Sequence, residues 1–144
     1  MKFSTTTSTH YFLLPVFLIS AALLFSSCSS KMQFAISPVE PAAEGWVSVK
    51  NDKNNNYTVQ LKVKNLASPE RLTPPSKEYV VWAETRENSD VNIGRLKSTS
   101  GMWTTSKSGS LKTVMTSKPT AFFITAEDDG STTYPGRTVV LRTK

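Results

Sequence analysis

Two residue types are almost missing from this 144-residue chain, which holds one Cys and one His. A single Cys leaves no partner for an intramolecular disulfide and no multi-cysteine metal site. The His is His10, inside a leader-like N-terminal stretch, so a mature chain lacking that stretch has no imidazole. Ser-His-Asp and Cys-His nucleophilic catalysis, and His-based metal sites, then lack their residues. No apolar run reaches the roughly 20 residues of a membrane-spanning helix. No stretch of ten or more residues carries helical spacing. Between Val91 and Ala126 there is no Asp or Glu at all. What is present is 38% hydrophobic and 10% aromatic, too apolar for disorder and too short for two ordinary domains. The balance of 17 basic to 11 acidic residues gives a net charge of +6.

The leader has a readable grammar. Lys2 precedes Tyr11–Phe25, a 15-residue apolar run broken only by Pro15 and Ser20. It ends in Leu24-Phe25-Ser26-Ser27-Cys28. Small residues directly before a Cys resemble the lipobox of bacterial lipoproteins, in the relaxed Ser-Ser-Cys form of the Bacteroidetes; Phe25 stands where Leu is usual. The resemblance implies that residues 1–27 are a cleaved lipoprotein signal peptide. It also implies that Cys28 becomes the mature N-terminus, acylated on its sulfur and amine. Two or more acyl chains hold a protein stably on a bilayer, where one gives marginal binding. A plain secretory signal beside an incidental Cys is the alternative. On the lipoprotein reading everything after Cys28 is translocated and meets no nucleic acid. The expected location is the cell envelope. Ser29-Ser30-Lys31 lacks the acidic cluster of surface-export signals, which points to a periplasm-facing anchor in the inner or outer membrane. The basic balance then suits the membrane itself, an envelope protein or an anionic envelope polymer.

Residues 28–44, with Pro38 and Pro41, read as the lipidated Cys and a tether. Phe34, Ile36 and Val39 offer an edge strand as the alternative. Residues 45–144 form the folded domain. Tyr57, Val59, Leu61 and Val63 alternate with Thr58, Gln60, Lys62 and Lys64, the period of a half-buried strand. With Trp46–Val49 and the turn Asp52–Asn56 they predict a hairpin. Glu78–Thr85 is apolar on both faces near its centre and predicts an interior strand. Val91–Leu96 follows, with Gly94 a bulge candidate. Leu111–Met115, Thr120–Glu127 and Thr138–Arg142 complete the pattern, and Ser98–Gly109 reads as a Ser/Thr/Gly-rich loop. The fold class expected is all-β: an antiparallel β-sandwich of about seven strands.

Three segments carry a family resemblance. They are Tyr79-Val80-Val81-Trp82-Ala83 after a Pro-containing loop, Val91-Asn92-Ile93-Gly94-Arg95-Leu96, and Phe123-Ile124-Thr125-Ala126-Glu127-Asp128-Asp129-Gly130-Ser131 followed by Tyr134-Pro135-Gly136. Together they resemble the extracytoplasmic C-terminal domain of RskA-type anti-sigma-K factors, across about Trp46 to Leu141. In that family a cytoplasmic sigma-binding region and a transmembrane helix precede the domain, and here the lipoprotein signal stands in their place. The resemblance therefore implies the fold and a sensory or protein-contact role outside the membrane, without direct sigma-factor binding.

Several constellations are candidates for chemistry. Glu84 and Glu87 could pair for acid–base work, although they flank a turn where solvated charge is the default. Glu127, Asp128 and Asp129 lack the alternate-position oxygens and distal Glu of a calcium loop, so a tight hairpin turn is expected. Tyr79, Trp82, Phe122 and Phe123 read as core; Trp103, in a polar stretch, reads either as core or as a candidate contact aromatic. The acid-free stretch holds Arg95, Lys97, Lys107, Lys112 and Lys118, a candidate patch for an anionic partner. The alternative is a solvated face whose lysines protect strand edges. No metal site and no cofactor are expected. These residues point to a membrane-anchored, non-enzymatic binding or sensory module. An anti-sigma-like regulatory module acting through a membrane partner is the alternative, and an envelope enzyme a distant third.

Overall fold

The structure, a computed structural model, describes residues 29–87, 90–100 and 107–144. Cys28 and Trp103 lie outside the described residues. Among those described, the chain is all β apart from one 3-10 turn at Pro69–Arg71. The strands are β1 (Ser29–Gln33), β2 (Glu44–Asn51), β3 (Tyr57–Leu66), β4 (Glu78–Thr85), β5 (Asp90–Arg95), β6 (Lys97–Ser100), β7 (Lys107–Met115), β8 (Pro119–Glu127) and β9 (Val139–Arg142). They form a five-stranded sheet, β1-β2-β3-β7-β6, and a four-stranded sheet, β5-β4-β8-β9. Every pairing is antiparallel, and the sheets face one another as a β-sandwich.

Period-two patterning builds the core. Val47 and Val49 of β2 and Val59, Leu61 and Val63 of β3 turn inward and are buried. Tyr79, Val81 and Ala83 of β4 and Phe122 and Ile124 of β8 meet them from the other sheet. At Asn65 the backbone enters the left-handed region (φ 55°), and the β3–β7 register shifts there. At Gly94, φ is 130°, and the β4–β5 register shifts between Val81 and Trp82, as the bulge expectation requires.

The expected seven strands are joined by two more, β1 and β6. β1 overturns the tether expected over 28–44, because its described part, 29–44, is folded. Ser29–Gln33 pair along β2, and Phe34 then leaves that sheet to bridge Thr143 beside β9. Ala35 N–H donates to the Arg142 carbonyl (2.8 Å) and Lys144 N–H to the Gln33 carbonyl (3.1 Å). Phe34 is buried, and Ser37, also buried, accepts the N–H groups of Val39 and Glu40 on its hydroxyl. The segment orders because Phe34 fills an apolar seam that the two sheets leave open on that side. Ile36 and Val39 stay exposed. On the opposite side, Leu96 alone links β5 to β6, carrying the chain from one sheet to the other; its N–H donates to the Tyr79 carbonyl (3.0 Å).

The second face of β4 is buried by a different device. Asn92, Trp82, Phe123 and Arg142 lie in one row across the outer face of the four-stranded sheet. The β8–β9 connection, residues 128–138, is held over that row. Asn92 Nδ2 donates to the carbonyls of Gly130 (3.2 Å) and Thr132 (2.8 Å), and Gly136 N–H donates to Glu127 Oε1 (2.7 Å). The Arg142 guanidinium sits 4.5 Å from the Phe123 ring centroid, and Phe123 stacks on Trp82 with centroids 6.1 Å apart. Val80, Trp82 and Phe123 become a second small core. The tight hairpin expected at Asp128–Gly130 is therefore one turn within a longer cover, in which Asp129 accepts Ser131 N–H and Oγ–H.

Candidate functional site

The outer face of the five-stranded sheet carries charge of almost one sign among the described residues. Register and alternation place on it Lys31 of β1, Lys50 of β2, Lys62 and Lys64 of β3, Lys112 of β7 and Lys97 of β6, all exposed. Glu44 is the one acid whose described side chain shares it. Trp46 stands among these lysines. Lys31 Nζ is 4.7 Å and Lys62 Nζ 5.8 Å from its ring centroid. Ser48, Gln60 and Lys112 form a cross-strand row, and Val114 is 61% exposed two residues beyond Lys112. The sheet holds these groups on one face because alternation sends every second residue of adjacent strands to the same side.

A second feature is a cleft of about 520 Å³ between the sheets, beside the β5–β6 link. Leu66, Tyr79, Leu96 and Leu111 give it an apolar lining, with Lys77, Arg95, Lys97 and Lys107 around its rim. Arg95 is engaged, since its Nη1 donates to both Glu78 oxygens (3.1 and 3.2 Å). The Tyr79 hydroxyl donates to the Ala67 carbonyl (3.1 Å). Burial, with the nearby charges of Glu40 and Glu70, pushes that phenol well above its ordinary pKa.

The structure does not bring the five cations of the acid-free stretch together. Lys97 and Lys112 lie on the outer face of the five-stranded sheet. Arg95, Lys97 and Lys107 border the cleft. Lys118 sits in the β7–β8 turn, at the far end of β7 from Lys107. Neighbours in the linear chain are not neighbours in space, because β7 lies beside β3 and β6 and not beside β8. Lys31, Lys50, Lys62 and Lys64, which complete the lysine face, escaped that linear criterion; the alternation of Lys62 and Lys64 along β3 was the signal for them. The other candidates resolve into structure. Glu84 pairs with Arg142, and Glu87 accepts from Ser117 Oγ (3.0 Å), so the two carboxylates serve separate contacts. Glu127 Oε1 accepts from Gly136 N–H and Thr125 Oγ–H. Trp82 Nε1 donates to Thr125 Oγ1 (2.8 Å), and Tyr79, Trp82, Phe122 and Phe123 are all buried. Among the described residues no three carboxylate, Cys or His groups gather to hold a metal ion, and no helix is long and apolar enough to cross a membrane.

The fold thus defines an all-β antiparallel sandwich with one lysine-rich sheet face. Set against known proteins, the chain matches no family model, no curated protein and no solved structure.

Proposed function

We propose that the chain is a lipid-anchored protein of the bacterial cell envelope, a non-enzymatic β-sandwich that binds an anionic envelope partner. The observation that carries this reading is the lysine face: among the described residues, six exposed lysines and one acid share a single sheet surface. Cys28 supplies the anchor by its place after the apolar leader. Each Lys near an anionic surface contributes about 1 kcal/mol at most. Six acting together make a binding surface with strong salt dependence, because the Debye length falls from about 30 Å at 0.01 M to about 8 Å at 0.15 M salt.

The regulatory alternative draws on another observation. The three segments that resemble anti-sigma-K domains fall on β4, β5, β8 and the connection covering them, a single unit of the four-stranded sheet. In that reading the exposed side of this unit meets a membrane partner.

Replacing the anchor tests the first proposal. Cys28→Ala should abolish acylation and leave an unprocessed or soluble form, read by intact mass and membrane fractionation. A mutant that stays in the membrane fraction with unchanged mobility would overturn the anchor.

A further inference from the structure

The lysine face and the anchor are not independent features of the chain. β1 begins at Ser29, the residue directly after Cys28, and β1 is an edge strand of the lysine-bearing sheet. Ser29 is already paired in the sheet, and consecutive Cα atoms are about 3.8 Å apart, so the proposed anchor residue is bonded directly to a residue of β1. Ser29 is paired with Lys50, and Lys31 follows two residues along on the outer face. A long tether would leave the domain free to tumble away from the bilayer. Ser29, already paired with Lys50, leaves no such tether after Cys28.

From this we infer that the domain lies flat, with the outer face of its five-stranded sheet seated on the anionic phospholipid surface of the membrane that holds its acyl chains. The inference rests on the proposed anchor and names the partner of the proposed binding face. Charge complementarity supports it, because lysine ammonium groups meet lipid phosphates with Glu44 the one opposing acid among the described side chains. Trp46 supports it as well. It is a half-buried ring flanked by Lys31 and Lys62, the pairing of amphipathic aromatic and snorkelling cation that suits the headgroup level. Exposed Val114 adds apolar surface to the same face. The acyl chains hold the protein on the membrane, and the lysines set its orientation, keeping the four-stranded sheet away from the lipid.

The test uses the full acylated protein in two kinds of vesicle: phosphatidylcholine alone, and phosphatidylcholine mixed in equal parts with phosphatidylglycerol. Intact mass reads acylation of Cys28, and amine-reactive labelling read by mass spectrometry reports each lysine separately. Lys31, Lys62 and Lys112 should be labelled severalfold more slowly in the anionic vesicles than in the neutral ones, with the difference lost at high salt. Lys53 and Lys118, in turns at the Ser29 end of the sheet, and Lys77, on the cleft rim, should not change. The double variant Lys62→Glu, Lys112→Glu should restore the labelling of Lys31 while keeping the thermal unfolding midpoint, which shows that the fold survives. An acylated protein with equal labelling of the face in both vesicles overturns the seat but leaves the anchor standing. Slowing confined to Lys53 and Lys118 means the domain stands on its end, and overturns it too. The same holds if a soluble anionic polymer protects the face and the anionic bilayer does not. An unacylated Cys28 removes the anchor, and the seat falls with it.

Discussion

Tyr79 shows how one side chain reports on the whole interior. Its ring belongs to the inner face of β4, and its hydroxyl donates to the Ala67 carbonyl. Burial first, then the charges of Glu40 and Glu70, disfavour the phenolate, so the folded-state pKa is raised above the ordinary 10.0. A raised pKa stabilises the fold fully below the unfolded value, and that contribution is lost as pH climbs through the interval up to the folded one. Urea unfolding from neutral pH to about 11 should therefore show stability falling above about pH 10. Tyr79→Phe should cost about 1 kcal/mol at neutral pH by losing the hydrogen bond, and should flatten the alkaline decline. An identical decline in both proteins would mean that other groups cause it. Asp52 makes the opposite case: it accepts the N–H groups of Asn54 and Asn56 at 2.8 Å, and those bonds, with the Asn56 side chain, hold its pKa below the usual carboxylate value. That turn was legible in the sequence, because all its bonds run between near neighbours.

At the scale of elements, β4 is the centre of the molecule. Its doubly apolar pattern correctly marked an interior strand, since β5 and β8 flank it and both of its faces are covered. What covers the outer face was not legible. The connection 128–138 is polar in composition and reads as loop, yet Asn92 draws two of its carbonyls over Trp82. Asn92 also accepts Gly94 N–H (3.0 Å), so one side chain serves both the bulge and the cover. Asn92→Ala should destabilise the fold by about 1–3 kcal/mol, because the carbonyls of the cover lose their donor. Its Trp emission should shift to the red as water reaches Trp82. A variant as stable as the parent, with unchanged emission, would show that the cover stays in place without Asn92.

Over the whole molecule, the decisive feature is how the sandwich closes. On one side Leu96 carries the chain from sheet to sheet. On the other, Phe34 does, with the residues around it bonded to Arg142 and Lys144. The N-terminal strand is thus tied to the C-terminal end of the domain, and a segment that looked like a tether completes the core. Phe34→Ala should cost about 3–5 kcal/mol in urea unfolding, the range for emptying a buried Phe site. A tether would give almost no effect. The same closure brings the fold up to Ser29 and so makes the orientation of an anchored domain a matter of geometry.

Sequence alone determined that this chain is all β, where most of its strands and turns fall, and that Cys28 follows a leader-like apolar run. These are properties of near neighbours: alternation is read over a few residues, turns over four or five, and the leader over one continuous run. Tertiary structure alone decided which strands lie side by side. It recruited Ser29–Gln33 as an edge strand, drew the connection 128–138 over Trp82, and separated Lys118 from Lys112 while bringing Lys31, Lys62 and Lys112 onto one face. Alternation says that a strand has a wet side, but not whose wet side lies next to it. That is set by pairings between residues far apart in the chain, where burial of apolar surface selects one register among many.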